Sequence, residues 1–279
     1  RNSPVNIQLS YINNLPISVR DAEIILNISG LAFDKNAIEV DNGFFQSANN
    51  TVLWDRSTLE KLGEVLPGEG GIVSLTLTPK GGVIQNPEIV MSANVKGKRV
   101  EESGVPEEII STVTRHIKFE SDVSLSVKSL YSESAIKNTG PVPPKAEVET
   151  TYSIMLTVTN GSNDVTDTVV RTTLPSYVRY IGEVYPGSEN VLYDEAKKEV
   201  SWRAGVVRSG TGTIRASKQV TFKVGIKPSF SQVGDSPDLT GPFTLKGEDR
   251  FTNTPISLEK SAVDTKTEDL IGVSGEVVP

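Results

Sequence analysis

The sequence has no cysteine. Neither disulfides nor a thiolate zinc site can hold it together, and its redox compartment cannot be read from thiols. Histidine occurs once, at His116. A Ser-His-Asp triad would have to use that residue, and no G-x-S-x-G elbow accompanies it. A histidine zinc site is equally unsupported. No P-loop or dinucleotide fingerprint is present, and Gly68, Gly70 and Gly71 read as a turn. Positive charge is in short supply: 28 Lys and Arg stand against 35 Asp and Glu, for a formal net charge of −7. Nucleic acid, which needs a basic face, is therefore not an expected partner. No apolar run approaches the ~18 residues of a membrane span. No basic-then-apolar export signal opens the sequence, so an export signal or anchor is expected outside these residues.

What is present is turn chemistry and alternation. The 279 residues suffice for two ordinary domains, and 23 Gly with 16 Pro suit short strands. Tyr152, Ile154, Leu156 and Val158 alternate with polar neighbours, as do Val5, Ile7, Leu9 and Tyr11. Val220, Phe222, Val224 and Ile226 form a third such run, matched by Val73, Leu75 and Leu77. Ile24, Leu26 and Ile28 add another. A period of two implies sheets with one buried and one wet face. Breaker pairs such as Asn42-Gly43 and Asn160-Gly161 separate the runs. The expected fold is all-β: two tandem Ig-like antiparallel β-sandwich domains. Only Ser57 to Leu62 and Val105 to Ile110 read as helical turns. Pro141, Pro143 and Pro144 place their stretch at an edge or in a linker.

The chain also repeats itself. Ile7 and Ile154, Leu9 and Leu156, and Asn13 and Asn160 correspond at an offset of 147. Trp54 and Trp202 correspond at 148, Pro79 and Pro228 at 149, and Lys96-Gly97 and Lys246-Gly247 at 150. Small loop insertions produce such a drift. The expected domains are residues 1–121 and 122–268, with 269–279 as the opening strand of a further repeat. The second repeat has a leading segment, VSLSVKSLY from Val123, that the first lacks. The chain therefore reads as part of a longer array, or as one whose first domain is completed from elsewhere. The segment STVTRHIKFE closes one domain and SDVSLSVKSLY opens the next with little linker, and each module would add roughly 35–40 Å of reach.

The second repeat resembles a prokaryotic family in the residues Thr151, Tyr152, Ile154, Val158 and Asn160, then Val165, Asp167, Leu174 and Pro175, then Trp202. It is similar there to the "conserved repeat" surface domain, family of unknown function number eleven. The first repeat keeps Asp21 but has no Leu-Pro after Leu26 or Leu31, while Leu66, Pro67 and Gly68 fit the post-tryptophan turn. The resemblance covers most of residues 123–228. It implies Ig-like sandwiches in exported surface proteins of bacteria or archaea and supplies no catalytic residue.

Trp54, Trp202, Tyr152, Ile154 and Leu156 are expected in the structural core. Glu101-Glu102 and Glu107-Glu108 read as solvated faces, not as a glycosidase pair. Asn163, Asp164 and Asp167, at a loop-to-strand junction, are the candidate calcium ligands, although no EF-hand spacing accompanies them. Sequons stand at Asn27, Asn49 and Asn160. The expected role is a non-catalytic spacer or stalk in a long prokaryotic cell-surface protein. Its partners are neighbouring repeats, and other copies by strand addition. Three alternatives stand beside it: an adhesin using Phe44, Phe45, Tyr177, Tyr180 and Tyr185, a self-assembling surface-layer or fibre subunit, and accessory domains of a larger secreted enzyme.

Overall fold

The computed structural model describes residues 3–100 and 106–279. Glu101, Glu102 and Val105 lie outside the described residues. The chain divides into two compact units, Arg1–Phe119 and Glu120–Pro279.

In the first unit the alternating runs become β1 (Val5–Ile12), β2 (Val19–Ser29), β3 (Ile38–Val40), β4 (Phe44–Gln46), β5 (Thr51–Trp54), β6 (Glu64–Val65), β7 (Gly70–Leu77), β8 (Glu88–Val100) and β9 (Pro106–Lys118). One sheet runs β1-β7-β3; the other runs β4-β5-β2-β8-β9, with β6 also on β2. The inward residues of both sheets meet in one core, where Ile7, Val73 and Leu75 pack with Ile24, Leu26 and Trp54. That is a sandwich of two antiparallel sheets.

The second unit contains β10 (Val123–Leu130), β11 (Thr150–Asn160), β12 (Val165–Thr173), β13 (Val178–Tyr185), β14 (Val191–Asp194), β15 (Glu199–Val207), β16 (Lys218–Ile226), β17 (Phe243–Asp249) and β18 (Thr254–Lys260). Its sheets run β10-β11-β16-β13 and β14-β15-β12-β17-β18. This is the plan of the first unit, with β10 added at one edge and the single strand β15 standing where β5 and β6 pair with β2. The registers agree as well. Ile7 faces Leu75 across β1–β7, and Ile154 faces Phe222 across β11–β16, each shifted by the same 147. Ile24 faces Trp54 as Val170 faces Trp202.

Three sequence expectations are corrected. Of Ser57 to Leu62 only Glu60–Leu62 is helical, as one 3-10 turn. Residues 106–110 are not a helical turn but the start of β9, whose run of Ile, Thr and Val prefers the pleated surface. Residues 269–279 are not a spare strand. They fold back on the second unit, where Val277 is buried and Lys145 and Val233 bridge Val278 and Val277. The proline stretch anchors this tail, since the Val278 amide donates to the Pro144 carbonyl at 2.8 Å.

Candidate functional site

The residues that recur between the units mark three places in each, and each has a physical reason. The first is a strand-end asparagine. Asn160 ends β11, and its amide nitrogen donates to the carbonyls of Asn163 at 2.6 Å and Val207 at 2.9 Å. Asn13 follows β1 and donates to Ile17 and Val65, both at 2.9 Å. In each unit one side chain ties its own loop to a strand of the opposite sheet. Both asparagines are buried, so the sequon at Asn160 is closed to modification in the folded chain.

The second place is a bulge. Pairing slips between Arg20 and Glu23 in β2, and between Val165 and Thr168 in β12. The residues that take up the slack are Asp21, at φ 45°, and Asp167, at φ 51°. Aspartate tolerates this left-handed conformation better than most residues because its short side chain can bond locally. Opposite each bulge stands a glycine, Gly97 or Gly247. A methyl there would lie 2.4 Å from Val19 and 2.8 Å from Val165 respectively. The repeated aspartate and the repeated Lys-Gly pair are therefore two halves of one backbone device. Asp167→Val is expected to destabilise the second unit by about 1–3 kcal/mol, because a β-branched residue is strained at positive φ. Asp167→Gly should change its stability far less. Urea titrations of the two variants in a Trp54→Phe chain, followed by Trp202 fluorescence, would check the contrast.

The third place is the indole. Trp54 and Trp202 are fully buried. Each ring nitrogen reaches a group 13 residues upstream: the Asp41 carbonyl at 2.9 Å, and Glu189 Oε2 at 2.7 Å. A buried indole N–H left unpaired would be costly, and the same chain separation supplies the acceptor in both units. Tyr152, Ile154 and Leu156 lie in the same core as Trp202. Burial pushes the Tyr152 phenol well above its usual range.

The candidate calcium ligands have separate engagements. Asn163 is fully buried, and its amide nitrogen donates to Asp249 Oδ2 at 2.8 Å. Asp164 accepts the Ser209 amide at 2.9 Å. Asp167 is the exposed bulge residue. No group of three or more His, Cys, Asp and Glu side chains is placed to hold a metal among the described residues.

Sequence reasoning passed over the most constrained carboxylate, Asp249 at the end of β17. It is fully buried and accepts four neutral donors: the Ser121 amide at 2.7 Å, Asn163 Nδ2 at 2.8 Å, and the Phe251 and Thr252 amides at 2.9 and 3.0 Å. Burial pushes its pKa up, but the combined donors win and hold it below the usual carboxylate range. Ser121 completes the knot, bonding Asn160 and accepting the Ser162 and Asn163 amides at 2.9 and 3.0 Å. Asp269 does similar work on the Ser132 and Glu133 amides at 2.6 and 2.7 Å. The available signal was local: Asp249 precedes a Thr-Asn-Thr hairpin tip, the composition of an Asx turn.

The remaining candidates do not converge. His116 is exposed on β9 and meets Glu88 at 2.9 Å. Glu107 pairs with Arg99. Tyr180 is stacked on Tyr193 at 4.7 Å, and Phe45 meets Phe33 edge-on. Phe44, Tyr177 and Tyr185 are exposed.

No protein-family model matches the sequence, so the resemblance stated above stands on its quoted residues alone. No curated protein matches it either. Among solved structures, the C-terminal domain of the BspA antigen I/II polypeptide of Streptococcus agalactiae is similar at 11% identity and a TM-score of 0.32, covering 95% of this chain and 93% of that one. BcpA, the major pilin subunit of Bacillus cereus, is similar at 14% identity and a TM-score of 0.36, with coverages of 93% and 69%. The full-length major pilin SpaD of Corynebacterium diphtheriae gives 12% identity and a TM-score of 0.33, with coverages of 92% and 64%. No residue's role is carried over from them.

Proposed function

We propose that this chain is a pair of Ig-like structural modules from a prokaryotic cell-surface protein, displayed outside the cell and acting as spacers without catalysis. One observation carries the reading. The residues that recur between the units, Asn13 and Asn160, Asp21 and Asp167, Trp54 and Trp202, all act on the backbone or core of their own sandwich. A duplicated reaction centre or ligand cleft would instead repeat outward-facing polar groups around a common pocket. Here the duplication preserves a scaffold.

A spacer must carry load as discrete blocks. Single-molecule pulling on the chain should give two abrupt unfolding events, releasing about 400 Å of chain for the first unit and about 550 Å for the second. Smooth extension without steps would argue against load-bearing modules. The surface location has its own test. An antibody against this chain should label intact cells of the source organism, and external protease should remove the label. Labelling that requires permeabilised cells would sink that half of the reading.

A further inference from the structure

Among the described residues the sheet that holds β1 has one strand fewer than the matching sheet of the second unit, and the edge of β1 carries no partner on that side. In the second unit β10 lies on the outer edge of β11, pairing Val123 with Asn160, Leu125 with Val158, Val127 with Leu156 and Ser129 with Ile154. Beneath it the inward residues of β11, from Tyr152 to Val158, are sealed. In the first unit the matching strand is β1, and among the described residues it pairs only with β7. Its inward residues Val5, Leu9 and Tyr11 are half-buried, although their register on β7 is the same as that of β11 on β16.

The flank beside β1 is correspondingly hollow. An open, largely apolar groove of about 360 Å³ is lined by Tyr11, Val19, Val65, Val95 and Ile109 among others. Four of these have counterparts in the second unit: Val158, Val165, Val207 and Leu245. There the same space is filled, because Val123 and Leu125 of β10 belong to one core with all four. On β9, Val113 pairs with the buried Ala93, yet remains 45% exposed. Val5–Ile12 reads VNIQLSYI, without the charge or proline that ordinarily blunts an edge strand.

We propose that this edge is a strand-acceptor site, taking one extended peptide segment of the β10 kind antiparallel to β1. Its alternate apolar side chains would lie opposite Asn13, Tyr11 and Leu9, as Val123, Leu125 and Val127 lie opposite Asn160, Val158 and Leu156, with the first two filling the groove. Backbone pairing along β1 supplies affinity, and the alternating apolar positions supply selection. The proposal does not depend on where the protein is located or on its spacer role.

The test uses the whole chain and a synthetic peptide of residues 122–131, DVSLSVKSLY. Hydrogen exchange should slow at the outward amides of β1 about tenfold or more when one peptide binds per chain. A peptide carrying L125D should give no such protection, since it puts a carboxylate into the apolar groove. Unchanged exchange on β1 at saturating wild-type peptide would overturn the proposal. So would equal protection by both peptides. Concentration-dependent self-association that protects β1 without peptide would overturn the named occupant and assign the edge to a second copy.

Discussion

Replacing Asp249 with alanine is expected to destabilise the second unit by about 3–5 kcal/mol, because four donors, that of Asn163 fully buried, lose their acceptor together. The donors come from three separate segments, at Ser121, Asn163 and the Phe251-Thr252 turn. Loss of the carboxylate therefore loosens the entry strand, the loop after β11 and the β17–β18 hairpin in one step. Asp249→Asn should recover only part of the loss. Its NH2 group would point a donor at donors that now meet Oδ2. The same carboxylate predicts a pH dependence. Its folded pKa is depressed below the unfolded value, so its contribution is fully present above the unfolded value of about 4 and is lost as pH falls through the folded pKa. Asp269, depressed for the same reason against the opposition of its own burial, adds to that loss. Acid titration should therefore weaken the second unit as pH drops below about 4, and D249N should flatten part of that decline. Fluorescence of a Trp54→Phe chain, in which Trp202 alone reports, would measure it. An acid-insensitive second unit would contradict the account.

The second large effect concerns the indoles. Trp54→Ala and Trp202→Ala should each cost about 3–5 kcal/mol in the unit that carries the substitution. Each ring is the largest fully buried side chain in its core and also satisfies a hydrogen bond there. Two losses therefore coincide: a cavity the size of an indole, and an acceptor without its donor. For Trp202 that acceptor is the Glu189 carboxylate, which can turn to water. For Trp54 it is the Asp41 carbonyl, fixed in the chain. Phenylalanine would keep most of the volume and lose only the N–H, so W54F and W202F should be much milder than the alanine variants. Guanidinium titrations followed by circular dichroism would rank the four chains. An alanine variant unfolding within about 0.5 kcal/mol of the parent would mean that the ring is not a core support.

These outcomes bear on how the chain was duplicated. The asparagine, the bulge aspartate and the tryptophan recur at matching places in both units, whereas Asp249 does not. Its counterpart at the Lys-Gly offset of 150 is Arg99, which pairs with Glu107 on the neighbouring strand. The second unit has an added strand and an internal carboxylate knot at the end where that strand enters. Among the described residues the first unit shows neither. The knot's Ser121 lies two residues ahead of β10, so strand and knot form one closure.

By itself the sequence determined the pleated class, the recurrence of residues at a near-constant offset and which residues lie inward. Those properties follow from period-two alternation and from that offset, and both are local or one-dimensional. Tertiary structure alone decided the rest. Whether residues 269–279 extend outward or fold back depends on pockets built from distant segments, and Pro144 and Val233 supply them. Sequence shows the carboxylate of Asp167, a candidate calcium ligand, but not the positive φ that places it in a bulge. Asp249 escaped notice because a buried charge is defined by the donors around it, and those donors come from stretches up to 128 residues away.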